Sequence, residues 1–434
     1  MSTPDIQLVF AAADGKIYPY PGLEGVGMRA GRYERLDPRD LIPLPKHAEF
    51  FLLPDRVAVG YDAEKRSYIE LAHDPYTGRE ERCYPVAAFL PPGLTLTHNV
   101  AYAETPQAKL LPLFAYGTCV YYRGEFHASA VPVDADRRHD ERTMDAAAIG
   151  RGIEDFKRRY PANRLVPHLG GCATTNACAN AKNYFLGRYE APIPTSPVCN
   201  AQCQGCISFQ PPERGVPPSQ HRITFTPTPE EIAEIALDHL EREPDPIVSF
   251  GQGCEGEPTL QGAVIERAIR LIRAKSSKGS INLNTNAGRP EVIARLMDAG
   301  LNTVRVSTNS VREPYYSRYY QPRGYSWSDV TASIDTVKRA GGYVSLNYLT
   351  MPGFTDSPGE ADALLRVIGE HRIDMIQWRN LNYDPRQYFR DLGLELGGSA
   401  DGQGIPRVLE RLREAHPRLR MGYFNPKRSS LVDA

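Results

Sequence analysis

The sequence predicts an α/β protein in which a β-rich N-terminal domain precedes a parallel arrangement of strands and helices. Over residues 1–145, short apolar runs alternate with Pro, Gly and Asp turns and helical periodicity is scarce, which is typical of antiparallel strands. From residue 191 onward, six strand-like segments alternate with five helices or helix-bearing connections. Alternation of this kind implies parallel strands joined by right-handed crossovers.

The chain divides into four regions, because 434 residues are too many for one ordinary domain. Residues 1–145 are the predicted β-rich accessory domain. Residues 146–190 are predicted as a helix, 146–160, followed by an irregular connector that contains cysteines. The alternating region covers residues 191–385, and residues 386–434 are predicted as a helical tail that begins with a Gly-rich break.

The elements of residues 191–385 follow one another in a regular order. The strand "APIPTSPV" leads into a cysteine-rich loop, and the helix "TPEEIAEIALDHLER" begins with a Thr cap, a first-turn Pro and early Glu residues. The later strands are "DPIVSFGQG", "SINLNTNA", "TVRVSTNS", "YVSLNYLTMPG" and "DMIQWRNLN". The helices between them are "AVIERAIRLIRAK", "PEVIARLMDAG", "SWSDVTASIDTVKRAGG" and "SPGEADALLRVIGEHR".

The composition excludes several classes of protein. Lys plus Arg (51) nearly balance Asp plus Glu (52), which argues against a nucleic-acid partner bound by phosphate neutralisation. The first residues, "MSTPDIQLVFAAADGKIYPY", lack the basic leading region of a signal peptide, and no stretch is apolar enough to span a bilayer. We therefore expect a soluble, cytoplasmic protein. In that reducing compartment, clustered cysteines indicate metal ligands or redox groups.

Polar residues follow each predicted strand of the alternating region. The segments are "GQGCEGEPT", "NTNAG", "STNS", "NYLTMPG" and "RNLNYDP", and Cys199 follows the first strand. Parallel sheets and barrels carry their chemistry at the carboxyl ends of the strands. The sequence therefore predicts a functional site at this end of the sheet.

The first of these strand ends carries three cysteines, Cys199, Cys203 and Cys206, in the spacing C-x3-C-x2-C. Thiolates this close on one loop converge on a soft metal centre. A structural zinc site is one hypothesis, with His221 as the next histidine, and incidental thiols are another. The hypothesis we prefer is a four-iron cluster with three protein ligands and one open iron, because an open coordination position is the mark of a catalytic site.

This spacing, directly after the first strand of a βα-repeating domain, resembles the radical S-adenosylmethionine (radical SAM) superfamily. The resemblance implies that residues 191–385 fold as a partial (βα)6 barrel. It implies a [4Fe-4S] cluster on the three cysteines, whose fourth iron is chelated by S-adenosylmethionine (SAM). One departure is Gly205, which stands where many relatives have an aromatic residue before the third cysteine. A second is "GQGCEGEP", where Gly253 and Cys254 precede Gly256.

The resemblance also implies cofactor contacts at the other strand ends. Gly256-Glu257-Pro258 is similar to the Gly-Gly-Glu motif that holds the methionine amino group. The remaining implied contacts lie where relatives hold the methionine part, the carboxylate, the ribose or the adenine, and they are Asn284, Thr285, Asn286, Ser307, Asn309, Asn347 and Arg379, the last within the segment from Trp378 to Asn380.

The chemistry implied is reductive cleavage of SAM to a 5′-deoxyadenosyl radical that abstracts hydrogen from an unidentified substrate. It needs an external one-electron donor such as flavodoxin or ferredoxin, and it needs no general base. Two other functions stay open. One is an iron–sulfur or zinc module for binding or electron transfer without radical chemistry, and the other is a radical-dependent methyltransferase.

Five further cysteines lie outside the loop. Cys172 and Cys178, with Cys119 or Cys83, are candidate ligands of a second cluster, and unligated thiols or a redox pair are the alternatives. Cys254 is interpreted first as a packing thiol, with a substrate contact or an acceptor of methyl or sulfur as the other hypotheses.

The segment 311–327, "VREPYYSRYYQPRGYSW", is rich in Tyr and Arg. Tyr and Arg are typical anchors of binding surfaces, so this segment is one candidate binding surface. It is also interpreted as a partly buried lid on the barrel rim, and the two interpretations are compatible.

Overall fold

A computed structural model describes residues 5–77, 80–397 and 402–431. In these ranges the chain forms an antiparallel β-region, three short helices and a parallel sheet covered by helices. The predicted fold class, an α/β partial barrel after a β-rich N-terminal domain, is confirmed. None of the helices in these ranges is both long and apolar enough to cross a membrane.

The N-terminal region is one extensively paired antiparallel sheet. Buried apolar side chains such as Val9, Ala88 and Cys119 form one of its cores. The strands are β1 (Ile6–Ala11), β2 (Ile17–Arg29), β3 (Arg32–Arg35), β4 (Leu41–Pro43), β5 (Glu49–Leu52), β6 (Arg56–Asp62), β7 (Ser67–Leu71), β8 (Tyr84–Phe89), β9 (Leu94–Leu96), β10 (Asn99–Val100), β11 (Tyr102–Glu104), β12 (Gly117–Tyr122) and β13 (Glu125–Pro132).

Three helices, not one, connect the two sheets. They are α1 (Ala146–Arg159), α2 (Leu165–Thr174) and α3 (Ala179–Phe185), and the last two occupy the connector that was expected to be irregular. Glycines, Thr and Asn make the local helix propensity of this stretch low. The helices form because their apolar side chains, such as Val166, Leu169 and Tyr184, are buried in the same core as the parallel sheet.

The parallel sheet has seven strands in sequential order. They are β14 (Glu190–Ile193), β15 (Ile247–Phe250), β16 (Ser280–Thr285), β17 (Thr303–Thr308), β18 (Tyr343–Thr350), β19 (Met375–Asn380) and β20 (Arg420–Gly422). The helices around it are α4 (Pro229–Arg242), α5 (Gly262–Lys275), α6 (Pro290–Ala299), α7 (Glu313–Tyr320), α8 (Trp327–Arg339), α9 (Pro358–His371), α10 (Pro385–Asp391) and α11 (Ile405–Ala415).

Local sequence explains where these helices begin and end. In α4, the Thr228 hydroxyl accepts from the Glu231 N–H at 3.1 Å, and the Glu231 carboxylate accepts from the Thr228 N–H at 2.7 Å. This reciprocal pair satisfies donors that the first helical turn leaves free. Helix α6 ends at Gly300, whose φ of 113° suits glycine.

The seventh strand, β20, lies in the region that was predicted as a helical tail. It has three residues and pairs in parallel with β19, from Met375–Arg420 to Gln377–Gly422. A segment this short shows no periodicity from which a strand can be predicted. Beyond it, Asn425 bonds to Gln377 at 3.1 Å and to Glu190 at 2.9 Å. The chain therefore links the last strands of the open sheet back to its first strand.

The N-terminal sheet docks on the parallel sheet through buried polar contacts. Arg56 and Asp384 form an ion pair at 3.0 Å whose two side chains are each 2% exposed. The Asn380 amide bridges to strand β9, accepting from the Leu96 N–H at 2.8 Å and donating to the Leu94 carbonyl at 2.9 Å. These contacts place the N-terminal domain against the carboxyl end of β19.

Candidate active site

A cavity of about 450 Å³ opens at the carboxyl ends of the parallel strands. Its volume is in the range of small-molecule sites. It is lined by the three cysteines of the loop after β14, Cys199, Cys203 and Cys206, and by residues from the ends of β15 through β19. The strand ends that the sequence singled out therefore meet in one place.

The loop after β15 holds the cysteine loop on one side. Gly256 donates its N–H to the Ser196 carbonyl at 2.7 Å, and Glu257 donates its N–H to the Val198 carbonyl at 2.9 Å. A Cβ at Gly256 would overlap the Val198 carbonyl oxygen, so the two backbones approach this closely only with glycine. Of the two glycines in "GCEG", Gly256 is thus the one that packs on the cysteine-loop backbone.

Helix α7 holds the same loop from the other side. The Tyr320 carbonyl accepts from the Gln202 N–H at 3.0 Å, and the Tyr319 carbonyl accepts from the Gln204 N–H at 2.9 Å. These bonds satisfy carbonyls that the end of a helix leaves free. The segment 311–327 is therefore a support of the cysteine loop, and Tyr316, like Tyr319 and Tyr320, is buried.

The three loop thiols are half-buried, and burial opposes the ionisation of two of them, Cys199 and Cys203. Burial raises the pKa of Cys199 to about 11, with a contribution from the Glu257 carboxylate, and burial raises the pKa of Cys203 well above its usual value. Metal binding at these thiols is thus coupled to proton release. A cation stands beside the third cysteine, since Nη2 of Arg222 donates to Sγ of Cys206 at 3.6 Å and to Oγ of Ser208 at 3.1 Å.

The spacing of the thiols bears on the kind of metal centre. Tetrahedral zinc with Zn–S bonds near 2.3 Å requires sulfur atoms roughly 3.8 Å apart. In the described part of the chain, the ligand group that converges within 4.8 Å is a different one, made of His168, Cys172 and Cys254. His221 is exposed, and its Nδ1 lies 2.8 Å from Oδ1 of Asn176. The loop thus fits a larger centre better than a single zinc ion.

Glu257 lies at the centre of the hydrogen bonds between the ends of β15 and β16. Its Oε1 accepts from the Thr259 N–H at 3.0 Å, from the Thr259 hydroxyl at 2.6 Å and from the Thr285 hydroxyl at 2.5 Å, and its Oε2 accepts from the Asn286 N–H at 2.8 Å. Burial raises the pKa of this carboxyl, and the four donors oppose that shift. Oε2, with one donor, keeps acceptor capacity on the cavity wall.

Two asparagines continue this network along the cavity wall. Asn284 donates to the Gly251 carbonyl at 3.0 Å, and Asn286 bonds to the Asn200 side chain at 2.7 Å. Asn286 thereby ties the end of β16 to the cysteine loop. Thr285 and Pro258 also line the cavity.

Residues 193–365 match the family model of the radical SAM superfamily. These residues form a radical SAM domain. Members of the superfamily are enzymes that use a [4Fe-4S] cluster and SAM. Curated protein sequences give no match to the chain.

Solved structures similar to this chain include radical SAM enzymes. The [FeFe]-hydrogenase maturase HydG is 14% identical over 65% of this chain and 69% of its own, with a TM-score of 0.35. A radical SAM methyltransferase from Sphaerobacter thermophilus is 17% identical over 52% of this chain and 62% of its own, with a TM-score of 0.37. Methylornithine synthase (PylB) is 15% identical over 64% and 76%, with a TM-score of 0.36.

Two polar side chains that line the cavity of the radical SAM domain have buried atoms with unused hydrogen-bonding capacity. Oδ1 of Asn347 is buried and has no hydrogen-bond partner within the described residues, and neither has Nε of Arg379. Buried polar groups are normally paired, so an unpaired one at a cavity wall indicates a ligand contact. Ser307, Asn347 and Arg379 all line the cavity.

Asn309 is an exception among the predicted contacts. It is fully buried, and its amide donates to the Tyr388 hydroxyl at 3.0 Å, outside the residues that line the cavity. It follows Ser307 by two positions, but the chain turns away after β17 toward α7, which removes Asn309 from the mouth of the sheet.

Arg305 also lines the cavity, and sequence reasoning missed it. Burial, together with the nearby Arg379, lowers the pKa of Arg305 to about 9. Its Nη1 donates to Oε1 of Gln377 at 3.2 Å, while its Nε has no partner in the described ranges. An arginine in the middle of a β-branched strand, "TVRVST", was the signal available in the sequence.

The remaining cysteines divide into two groups. Cys119 is in the core of the N-terminal sheet, and the Cys83 thiol donates to the Leu71 carbonyl at 3.0 Å. Neither belongs to the group of convergent ligand atoms that contains Cys172. Cys172, Cys178 and Cys254 line the main cavity. A hydrogen bond between the thiols of Cys172 and Cys254 lowers the pKa of Cys172 and raises the pKa of Cys254.

Proposed function

We propose that this radical SAM enzyme cleaves SAM reductively and directs the resulting 5′-deoxyadenosyl radical to a hydrogen atom of a substrate held in the same cavity. The observation that carries the proposal is the convergence of Cys199, Cys203 and Cys206 with Glu257 and Asn347 on one cavity wall. When bound, the cluster supplies the electron for this cleavage. The residues of the chain supply placement, charge and exclusion of water.

Placement of the cofactor is assigned to groups with free hydrogen-bonding capacity. Oε2 of Glu257 accepts one protein donor and is assigned to the ammonium group of SAM. Oδ1 of Asn347, without a partner in the described residues, is assigned to a cofactor hydroxyl. Ser307 and the amides of Asn284 and Asn286 complete this wall.

Tyr319 occupies the space beside Gly205, the position at which many relatives have an aromatic residue. A Cβ at Gly205 would lie 2.7 Å from Oη of Tyr319, so the tyrosine already fills the space beside this glycine. Tyr319 also lines the cavity. We assign to Tyr319 the adenine-side contact that a neighbour of the third cysteine makes in relatives.

The two arginines of the cavity support an anionic substrate. In residues 5–77, 80–397 and 402–431, neither Arg305 nor Arg379 forms an ion pair with a carboxylate, although both carry an unpaired Nε. Arg305 lies two residues before Ser307 on β17 and therefore deeper in the barrel than the strand ends that face the cluster loop. We assign the pair to a carboxylate or phosphate group of the substrate.

The proposed reaction requires an electron donor and a reducing environment. An external one-electron donor of the flavodoxin or ferredoxin class fits the chemistry, and the reducing cytoplasm fits three unpaired, half-buried loop thiols. Both assignments are part of the proposal.

The test is anaerobic reconstitution with iron and sulfide, followed by reduction in the presence of SAM and quantification of 5′-deoxyadenosine. The wild-type chain is expected to hold about four irons at the loop and to form the nucleoside. The combined change Cys199→Ala, Cys203→Ala and Cys206→Ala is expected to abolish both, whereas Cys119→Ala, in the N-terminal core, is the matched control. Nucleoside formation by the triple variant contradicts the proposal, and S-adenosylhomocysteine as the main product indicates methyl transfer instead.

A further inference from the structure

A second group of metal-ligating atoms lies in the wall of the main cavity. The ligand atoms of His168, Cys172 and Cys254 are all within 4.8 Å of one another. Nε2 of His168 and Sγ of Cys172 are 3.6 Å apart. The two cysteines are buried, and the histidine is half-buried.

The fold brings these residues together from two elements. His168 and Cys172 lie four residues apart on helix α2, so their side chains share one face. Cys254 comes from the loop after β15, where its carbonyl accepts from the Ile223 N–H at 2.8 Å. Since the same loop contains Gly256 and Glu257, the second group is joined by backbone to the wall of the cofactor site.

We propose that His168, Cys172 and Cys254 bind one soft divalent transition-metal ion, in a site distinct from the loop cysteines and with its fourth position open to the cavity. A single thiolate- and imidazole-bound ion has bonds of roughly 2.0–2.3 Å, which sets its ligand atoms roughly 3.3–3.8 Å apart. The observed grouping within 4.8 Å fits that spacing. Two thiolates and one imidazole are also a ligand set that selects zinc-class ions over calcium or magnesium.

Cys178 is not needed as a fourth ligand. It lines the cavity and donates its N–H to the Cys172 carbonyl at 2.9 Å, yet its sulfur is outside the convergent group. A site with three protein ligands and one open position binds substrate or water there, whereas a structural site is closed by four protein ligands. The expected second cluster on Cys172 and Cys178 is therefore replaced by a mononuclear site on a different set.

The open position faces the same cavity as the loop cysteines, because Cys172 and Cys254 both line it. An ion there would hold a donor atom of the substrate, such as a thiolate, amine or carboxylate, at a fixed distance from the radical SAM centre. This role is independent of how SAM is cleaved, so the metal site stands whether or not the proposed function does.

The experiment counts zinc and iron separately in the full-length chain. The protein is reconstituted anaerobically with iron and sulfide so that the loop cysteines are occupied, exposed to excess Zn²⁺, desalted and analysed by elemental mass spectrometry. We expect about one zinc per chain in addition to the loop iron. The separate changes His168→Gln, Cys172→Ser and Cys254→Ser should each weaken zinc binding by at least about a hundredfold, since even residues outside the ligand set cost 10–100-fold.

Two controls frame that result. Cys119→Ala is a matched removal of a buried thiol elsewhere and should leave the zinc count unchanged, and Cys178→Ser should also retain zinc. Circular dichroism and iron content show whether a variant has lost its fold. As a second measurement, Co²⁺ in place of Zn²⁺ should give thiolate-to-cobalt charge-transfer absorption that disappears in Cys172→Ser.

Three outcomes would overturn the proposal. The first is a wild-type chain without zinc beyond the loop iron, and the second is zinc that persists in all three ligand variants. The third is a Cys172–Cys254 disulfide that survives in the metal-exposed protein, as shown by thiol counting under denaturing conditions. Loss of zinc in Cys178→Ser to the same extent as in Cys172→Ser would overturn the open position and indicate a closed structural site.

Discussion

The guanidinium of Arg222 lies 3.6 Å from the sulfur of Cys206 and is anchored by the hydroxyl of Ser208. Hydrogen bonds and positive charge near a cluster sulfur stabilise the reduced, more negative state of the cluster. We predict that Arg222→Gln lowers the midpoint potential of the cluster by about 30–60 mV, because such a bond contributes about 1 kcal/mol and a tenfold change in a one-electron couple is about 59 mV. An EPR redox titration measures it. Arg267→Gln, on the outer face of α5, should leave the potential unchanged, and an equal shift there would contradict the local explanation.

Glu257→Gln is predicted to weaken SAM binding by about ten- to a hundredfold while the iron content stays the same. A charge-assisted contact to the cofactor ammonium contributes about 1.5–3 kcal/mol, and about 1.4 kcal/mol corresponds to a factor of ten. The measurement is a titration of SAM into the reduced, reconstituted variant, followed by EPR. Glu230→Gln is the matched control, because it makes the same chemical change at an exposed position of α4 and should leave SAM affinity unchanged. Normal affinity in Glu257→Gln would show that the carboxylate only holds the strand ends together.

Gly205 and Tyr319 are predicted to be coupled. Gly205→Ala places a methyl group 2.7 Å from Oη of Tyr319, and overpacking of this kind costs about 1–3 kcal/mol. Removing that hydroxyl in the double variant Gly205→Ala/Tyr319→Phe should restore most of the stability. A double-mutant cycle of thermal unfolding measures the coupling, and additive effects would argue against direct contact. Tyr319→Leu, which removes the ring, should weaken SAM binding, whereas Tyr319→Phe should not.

Arg305→Gln is predicted to stabilise the ligand-free enzyme. A half-buried charge without an ion pair in the described residues is costly, and its neutral replacement keeps a hydrogen-bond donor near Gln377. We expect an increase of about 1–3 kcal/mol in the free energy of unfolding, measured by urea denaturation, with SAM affinity unchanged. A decrease in SAM affinity would instead assign the arginine to the cofactor carboxylate. To identify the substrate, the wild type and the variant are each incubated with a metabolite extract, and the retained compounds are analysed by mass spectrometry. Anionic compounds that only the wild type retains are the candidate substrates.

Asp384→Asn is predicted to destabilise the protein by about 3 kcal/mol, because it removes the carboxylate 3.0 Å from the buried Arg56 and leaves the charged side chain with the more distant Glu104, at 4.0 Å. Urea denaturation measures the loss. The double variant Arg56→Met/Asp384→Asn should recover part of it. Glu230→Gln, which breaks the exposed ion pair with Arg267, is the matched control and should cost less than about 1 kcal/mol. If Asp384→Asn and Glu230→Gln lower the free energy of unfolding by similar amounts, the buried ion pair stabilises the fold no more than an exposed one.

The sequence was sufficient to predict the features that depend on local order. Strand–helix alternation and the capping residues at Thr228 were visible directly, and the C-x3-C-x2-C spacing showed that three cysteines share the one loop that lines the cavity. Strand β20 was missed because a three-residue strand exists only through its pairing with β19.

The second ligand group was missed for a related reason. His168 and Cys172 have the spacing of neighbours on a helix, but the low helix propensity around them concealed it. Cys254 joins them only through the tertiary fold. Arg305 was missed because a charged residue in a strand looks like an exposed one until the cavity beside it is known.

The backbone bonds that hold the cysteine loop, from Gly256 and Glu257 on one side and from the carbonyls of Tyr319 and Tyr320 on the other, have a consequence for cluster delivery. None of these bonds involves a thiol, so they persist in the metal-free chain, and little conformational entropy remains to be lost when the cluster binds. The metal-free chain should therefore present the three cysteines on a loop whose backbone is already held in place. Because burial raises the pKa of Cys199 and Cys203, metal binding at these two thiols releases protons, and the rate of cluster uptake should increase with pH.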